Sequence, residues 1–121
     1  MKRWSFAIEN DKLIELVLSG KKTATSSNYD KSDLPIIGEK SIICFDNGQD
    51  ACIVRTIDYK IMKFNEITEE LARLEGEGNL SLEYWRKVHY EFFKSYNDSF
   101  NDETLIVFEI FEVTKNLVED L

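Results

Sequence analysis

The chain is short of the residues on which many metalloenzymes and hydrolases are built: one histidine, one proline, two cysteines and five glycines among 121 residues. A lone His89 makes no metal site by itself, and no His or Cys spacing fits zinc. Neither a glycine-rich phosphate loop nor a serine nucleophile elbow is present. No metal and no cofactor is called for by these residues. Cys44 and Cys52 flank a candidate hairpin in an ordinary core composition, so they read as buried thiols in a reducing compartment rather than as a disulfide framework. Long apolar runs are missing too. The start, "MKRWSFAIEND", lacks the apolar stretch of about 7 to 15 residues that a signal peptide needs, and nothing approaches membrane-spanning length. The expectation is a soluble, cytoplasmic protein with no membrane partner.

Basic charge is also scarce. Lys and Arg number 15 against 23 Asp and Glu, a formal charge of −8, which disfavours non-specific tracking of a long DNA backbone but permits a small local basic site. With 43% hydrophobic and 31% charged residues, the chain can bury one core and has no surplus for a second, so residues 1–121 are expected to form one domain. Composition does not fix the oligomeric state. There is no internal repeat or low-complexity tract, and the one loop-like stretch, "SSNYDKSDLPIIGEK", is too short to separate domains.

What is present is organised by period. In "NDKLIELVLSG" the apolar residues Leu13, Ile14, Leu16, Val17 and Leu18 cover a broad helical face, with Asn10 or Asp11 as N-cap and Gly20 as the stop. "KSIICFDNGQDACIVRTID" has two β-rich runs around Asn47-Gly48, a pair suited to the positive φ angles of a tight turn, and "YKIMKF" continues or follows the second run. "ITEELARLEG" places Ile67, Leu71 and Leu74 on one helical face. "SLEYWRKVHYEFFKSY" lines Leu82, Trp85, His89, Phe92, Phe93 and Tyr96 along another, behind Ser81 as N-cap. "TLIVFEIFEVT" is a late strand. Adjacent strands without intervening helices predict an α+β fold, a mostly antiparallel sheet or small barrel with helices at its margins.

Two polar clusters stand out. The first is "SGKKTATSS", where Lys21, Lys22 and Thr25 follow a helix stop. The second is "EGEGNLSLEYWRKVH", whose glycines bend the chain around Glu75 and Glu77 before Arg86 and His89 project from the next helix. A turn into a solvated strand and an inter-helix turn account for both without any chemistry. Tyr29 lies in the polar loop, and Arg55, on the strand after the hairpin, faces either inward or the outer sheet.

"LVLSGKKTAT", "LPIIGEK", "FNEITEELARLEGEGNLSLEYWRKVHYEFF" and "VFEIFEVT" together resemble the ASCH domain family, from about Trp4 to Thr114. The family signature, glycine, any residue, lysine, two residues, threonine, is matched by Gly20, Lys22 and Thr25, and "EGEG…WR..H" is similar to the longer bacterial members. The resemblance implies a small PUA-like β-barrel with flanking helices and a cleft for RNA or a modified nucleoside or nucleotide. It also implies two possible activities, amidohydrolase on N4-acetylcytidine-type substrates and ribonuclease. Carried over by residue, the amidohydrolase roles fall on Lys22 as base, Thr25 as nucleophile and Glu75 as acid, with Lys21, Tyr29, Arg55, Glu77, Arg86 and His89 available to bind substrate.

Two departures are visible: Ser27 where many members carry arginine, and Asn79 where longer relatives carry aspartate. The chemistry also sets conditions. Lys22 serves as a base only when neutral, and Glu75 as an acid only if burial keeps its proton on. Lys22 and Thr25 would point to opposite faces of a straight strand and need a bend between them. Three hypotheses follow: a binding module for RNA or a nucleoside, a hydrolase using the same groups, and a protein-interaction module with a vestigial pocket.

Overall fold

A computed structural model describes residues 1–118 of the chain. Five strands, β1 (Lys2–Trp4), β2 (Ala24–Asn28), β3 (Lys40–Cys44), β4 (Asp50–Lys63) and β5 (Leu105–Asn116), form one sheet in the order β1-β3-β4-β5-β2. All neighbours are antiparallel except β1 with β3. The sheet curls into a half-barrel flanked by α1 (Asn10–Leu18), α2 (Glu69–Glu75) and α3 (Leu82–Tyr96). The α+β expectation holds. Among the described residues no helix is long and apolar enough to cross a membrane.

Alternation along β5 explains where the helices pack. Ile106, Phe108 and Ile110 join Trp85, Phe93 and Ala72 in a core under α2 and α3, whereas Phe111 joins Ile14, Val17 and Val54 under α1. Successive strand residues face opposite sides, so Glu109 shares the side of Phe111 and turns away from the aromatic core. Cys44 and Cys52 are buried and free, and burial pushes the Cys52 thiol up to about 11.

The helix stop is a Schellman motif. Gly20, at φ 84°, donates to the Val17 carbonyl and Lys21 to that of Leu16. The start differs from expectation: Glu9 precedes the helix, and Asn10 is its first residue, with a buried side chain. The Asn10 amide accepts from the Phe6 N–H and donates to the Cys44 carbonyl, both at 2.8 Å, tying the β1–α1 segment to the sheet. At the hairpin only Gly48 has a positive φ; Asn47 instead accepts from the Gln49 N–H through its side chain. The expected cap Ser81 is in place, accepting from Tyr84 N–H, and Gly76 in the left-handed region ends α2. The helix of "ITEELARLEG" is offset from its leucines: Ile67 precedes it, and its buried positions are Ala72 and Glu75.

Gly76 joins the two polar clusters. Its φ is 70°, and a Cβ there would collide with the Lys21 carbonyl, while Thr23 N–H bonds the Leu74 carbonyl at 2.7 Å. The α2 C-terminus therefore lies directly on the Lys21–Thr23 backbone. Gly76→Ala combines a positive φ with a backbone clash and is expected to cost about 2 to 3 kcal/mol, read as a lowered denaturant midpoint; a loss below about 0.5 kcal/mol would show that the two segments do not need this approach.

Candidate functional site

The closing of α2 onto the Lys21–Thr23 turn buries a charged network. Lys22 and Glu75 are each 1% exposed. The Lys22 Nζ donates to Glu75 Oε1 at 3.2 Å, to the Glu75 carbonyl at 3.3 Å and to Glu77 Oε2 at 2.7 Å, three acceptors for the three N–H bonds of an ammonium. It also stands 5.4 Å from the centre of the Phe6 ring. On Glu75, Oε2 accepts from the Ser26 hydroxyl and the Trp85 indole N–H, both at 2.6 Å, and Oε1 lies 3.3 Å from His89 Nε2. The carboxylate is met by Lys22, Ser26, Trp85 and His89.

His89 is held just as tightly. Its ring stacks on Trp85 with centroids 4.3 Å apart, and Nδ1 lies 2.9 Å from the Trp85 carbonyl. A carbonyl and a carboxylate only accept, so both ring nitrogens carry hydrogen and the ring is an imidazolium. Burial lowers the His89 pKa, but the Glu75 charge and hydrogen bond, the Glu77 charge and the Trp85 carbonyl outweigh it and leave it raised. For Glu75 burial is the largest influence and acts upward. The Lys22 and His89 charges with the His89 and Ser26 hydrogen bonds together overcome it and hold the carboxyl far below the usual range. Desolvation therefore does not keep a proton on Glu75, contrary to what an acid role requires. Glu75, Glu77 and His89 offer ligand atoms within 4.8 Å of one another, but the Lys22 ammonium bonds both acids where a cation would.

The network forms one wall of a cleft of about 560 Å³. Lys22, Thr25, Glu75, Glu77 and His89 all line it. Lys22 precedes β2, so the bend that the spacing demands comes before the strand begins. Within β2, however, Ser26 turns to Glu75, and Thr25 lies on the other face, opposite Glu109 of β5. The cleft takes in both faces of this edge strand. Thr25 makes no side-chain hydrogen bond to Lys22 or Glu75 among the described residues.

Four expected site residues lie outside the lining. Lys21 is exposed because the Schellman turn directs it away from its neighbour. Arg86 is exposed, one position after Trp85 and thus off the buried face of α3. Arg55 pairs with Glu112 across β4 and β5 on the outer surface. Tyr29 follows β2 and is 37% exposed. Sequence reasoning missed Ser26 and the indole of Trp85 as partners of Glu75. The signal available was that a buried indole N–H needs an acceptor. It also missed Trp4, Thr56 and Glu109, which line the cleft from the sheet, and Glu39 from the loop before β3.

Charge on the walls is unbalanced. Glu9, Asp33, Glu39, Glu75, Glu77 and Glu109 are opposed by Lys2, Lys22 and His89. Lys22 and His89 are already spent on Glu75 and Glu77.

A sequence model described as the ASCH domain matches residues 2–115. No curated protein matches the chain. Among solved structures, an ASCH domain from Lactobacillus crispatus JV V101 is 26% identical with a TM-score of 0.89, over 95% of this chain and 80% of that one. Protein EF3133 from Enterococcus faecalis V583 is 32% identical with a TM-score of 0.85, over 96% of this chain and 77% of that one. The hypothetical protein PH0355, 22% identical with a TM-score of 0.62 over 93% and 99% of the two chains, shares the fold.

The two shifts act on stability at opposite ends of the pH scale. The lowered Glu75 pKa contributes stability present above the ordinary 4.5 and lost as pH falls through the depressed value. The raised His89 pKa contributes stability fully present below 6.5 and lost as pH rises through the raised value. The network is therefore expected to contribute most between these two ordinary values, and His89→Gln should flatten the alkaline decline in thermal midpoint. Glu75→Gln leaves two buried cations facing a neutral amide and should cost about 3 kcal/mol or more. Unchanged alkaline behaviour in His89→Gln would show that the imidazolium contributes nothing.

Proposed function

The chain belongs to the ASCH domain family, and on that premise we propose that its cleft binds a modified nucleoside through the base and sugar rather than through phosphate. The observation that carries this reading is the full engagement of Lys22: its three donors are held by Glu75 and Glu77, so the motif lysine is not a free phosphate anchor. The four wall carboxyl groups outside the ion-paired network, Glu9, Asp33, Glu39 and Glu109, outnumber Lys2 among the lining residues and repel a polyanion further. A neutral ligand meets no such cost. The volume of about 560 Å³ falls within the roughly 300 to 1,000 Å³ of small-molecule pockets. Trp4, Phe6 and Phe92 supply apolar lining, and Thr25, Ser27 and Ser41 supply hydroxyls that both donate and accept. Binding of a longer RNA would rest on exposed cations outside the cleft, such as Lys21 and Arg86, with one base inserted.

Hydrolysis of an amide on the base is the second reading, favoured by Lys22, Thr25 and Glu75 opening on one cleft. In it the Thr25 hydroxyl adds to the amide carbon, the amine departs with a proton, and water releases the acyl group. Its base must be a neutral Lys22, reached if one ammonium proton crosses the 3.2 Å to Glu75 Oε1. That single transfer would create base and acid together. The donors converging on Glu75 oppose it, which ranks turnover behind binding. A ribonuclease role is less favoured still, because both nitrogens of His89 already face protein acceptors.

Trp4 lines the cleft, so cytidine, N4-acetylcytidine and short single-stranded RNA can be titrated by tryptophan fluorescence, with Trp4→Phe as the control that leaves only the Trp85 signal. Nucleosides are expected to quench saturably with little dependence on salt, and Thr25→Ala to weaken binding about tenfold, roughly the worth of one hydrogen bond. RNA binding that weakens steeply with salt would favour a phosphate-reading surface instead. No saturable signal at about 1 mM, equivalent to about 4 kcal/mol, would leave a protein-interaction module as the better reading. Chromatography of N4-acetylcytidine after incubation tests the second reading: cytidine should appear with the wild type and vanish in Lys22→Ala and Thr25→Ala.

A further inference from the structure

The wall of the cleft opposite the charged network holds a carboxyl group of a different kind. Glu109 sits on β5 between two cross-strand partners, Thr25 of β2 and Tyr59 of β4. It is half-buried and lines the cleft together with Thr25, Thr56 and Glu39. Its Oε2 accepts from the Thr56 hydroxyl at 2.7 Å; among the described residues its Oε1 has no hydrogen-bond partner. Glu75 is met by four donor groups and Glu77 is bonded to Lys22, whereas Glu109 is tied by one hydroxyl and keeps an oxygen for a ligand.

We propose that Glu109 reads an amidine-type base edge, a ring nitrogen beside an exocyclic N–H as in cytosine or adenine, by sharing one proton with it, so that amino-bearing nucleosides bind with uptake of a proton. The inference rests on the nucleoside reading of the cleft. In the pair, one O–H···N or O···H–N bond joins a carboxyl oxygen to the ring nitrogen, and the other oxygen accepts from the exocyclic N–H. The shared proton comes from solvent. An ionised carboxylate facing a neutral amidine edge makes only the second bond and sets two lone pairs against each other. Uracil offers an N–H in place of the basic ring nitrogen and a carbonyl oxygen in place of the exocyclic amino group; the N–H is satisfied by a carboxylate oxygen alone, so uracil binds without taking up a proton.

The surroundings favour proton sharing. Burial pushes the Glu109 carboxyl above its ordinary 4.5, and the Glu39 charge adds to this, against the Thr56 hydrogen bond and the Lys2 charge. The charges acting on Glu109 are Lys2 from β1 and Glu39 from the loop before β3; Glu9 and Asp33 also line the cleft, and Tyr59 stands beside Glu109 on β4. Acids predominate among them. Lys22 and His89 belong to the other wall and are neutralised there by Glu75 and Glu77.

The experiment is calorimetric titration of the full chain with cytidine and with uridine from pH 5 to 8, in buffers of different ionisation enthalpy so that proton uptake is counted directly. For wild type, cytidine is expected to take up close to one proton, its affinity rising by up to about tenfold per unit fall in pH above the free Glu109 pKa, with uridine near zero. Glu109→Gln places a donor and an acceptor at the same spot; it should retain cytidine binding and abolish the uptake, and Glu109→Ala should weaken cytidine without any pH slope. The carboxyl carbon of Glu109, assigned in the wild type through its bonds to its own backbone amide, should shift on cytidine binding in carbon NMR toward the protonated position, a readout that does not depend on any variant folding. Equal uptake in Glu109→Gln, or equal uptake with uridine, overturns the proposal and leaves nucleoside binding standing. Absence of any nucleoside binding by wild type overturns both.

Discussion

A carboxylate with almost no solvent exposure is the constraint around which this domain is arranged. Removing an ionised carboxyl from water costs several kcal/mol even after relaxation, and only opposite charge with a complete set of donors offsets it. Glu75 has Lys22 and His89 for charge, and Ser26 and Trp85 complete the set. Each donor comes from a different place in the fold: the turn before β2, β2 itself and two successive turns of α3. The network is thus a statement about tertiary structure. If α3 rotated, or the Lys21–Thr23 turn moved away from α2, a buried charge would be left with missing partners.

Two small features make that convergence sterically possible. Gly76 lets the chain leave α2 against the Lys21 carbonyl, and the Schellman turn after α1 delivers Lys22 to the same spot. The stacking of His89 on Trp85 sets the imidazole plane, and the Trp85 carbonyl takes its second N–H. Both oxygens of Glu75 are committed twice over and the Lys22 ammonium three times, which makes the wall rigid and also makes it chemically quiet.

How much of this could be read beforehand depended on whether a residue's partner was local. The helix of Leu13 to Leu18, its glycine stop, the Ser81 cap and the late strand follow from periodicity and capping, and the structure has them. The α+β architecture followed from the order of these elements. Asn10 did not behave as a cap because its amide found longer-range partners in Phe6 and Cys44. The Asn47-Gly48 turn needed only one positive φ. At the cleft, Lys22, Thr25, Glu75, Glu77 and His89 were marked by residue type and by resemblance, and they share it. Lys21, Tyr29, Arg55 and Arg86 were chosen for charge or ring alone and stand outside. Ser26 and Glu109 were invisible because nothing nearby in the sequence says which side of an edge strand, or which parity of β5, will meet a carboxylate or a hollow.

On the proposed nucleoside reading, the two walls of the cleft would divide the demands of recognition between them. A site that must tell one base edge from another needs a group whose hydrogen-bonding pattern can adapt, yet that group has to be held by something that does not. The Glu75 wall adapts little: both Glu75 oxygens, the Lys22 ammonium and both His89 nitrogens are already paired, so a ligand meets it as shape and fixed dipole. The Glu109 wall has one hydroxyl bond from Thr56 and a carboxyl oxygen to spare, next to a Thr25 hydroxyl able to donate or accept. Buried polar groups left unpaired by the wrong ligand penalise it more than the right ligand gains. Selectivity should therefore reside on the sheet side, with the ion-paired side serving as its brace, and the motif lysine matters in this structure chiefly because it holds that brace together.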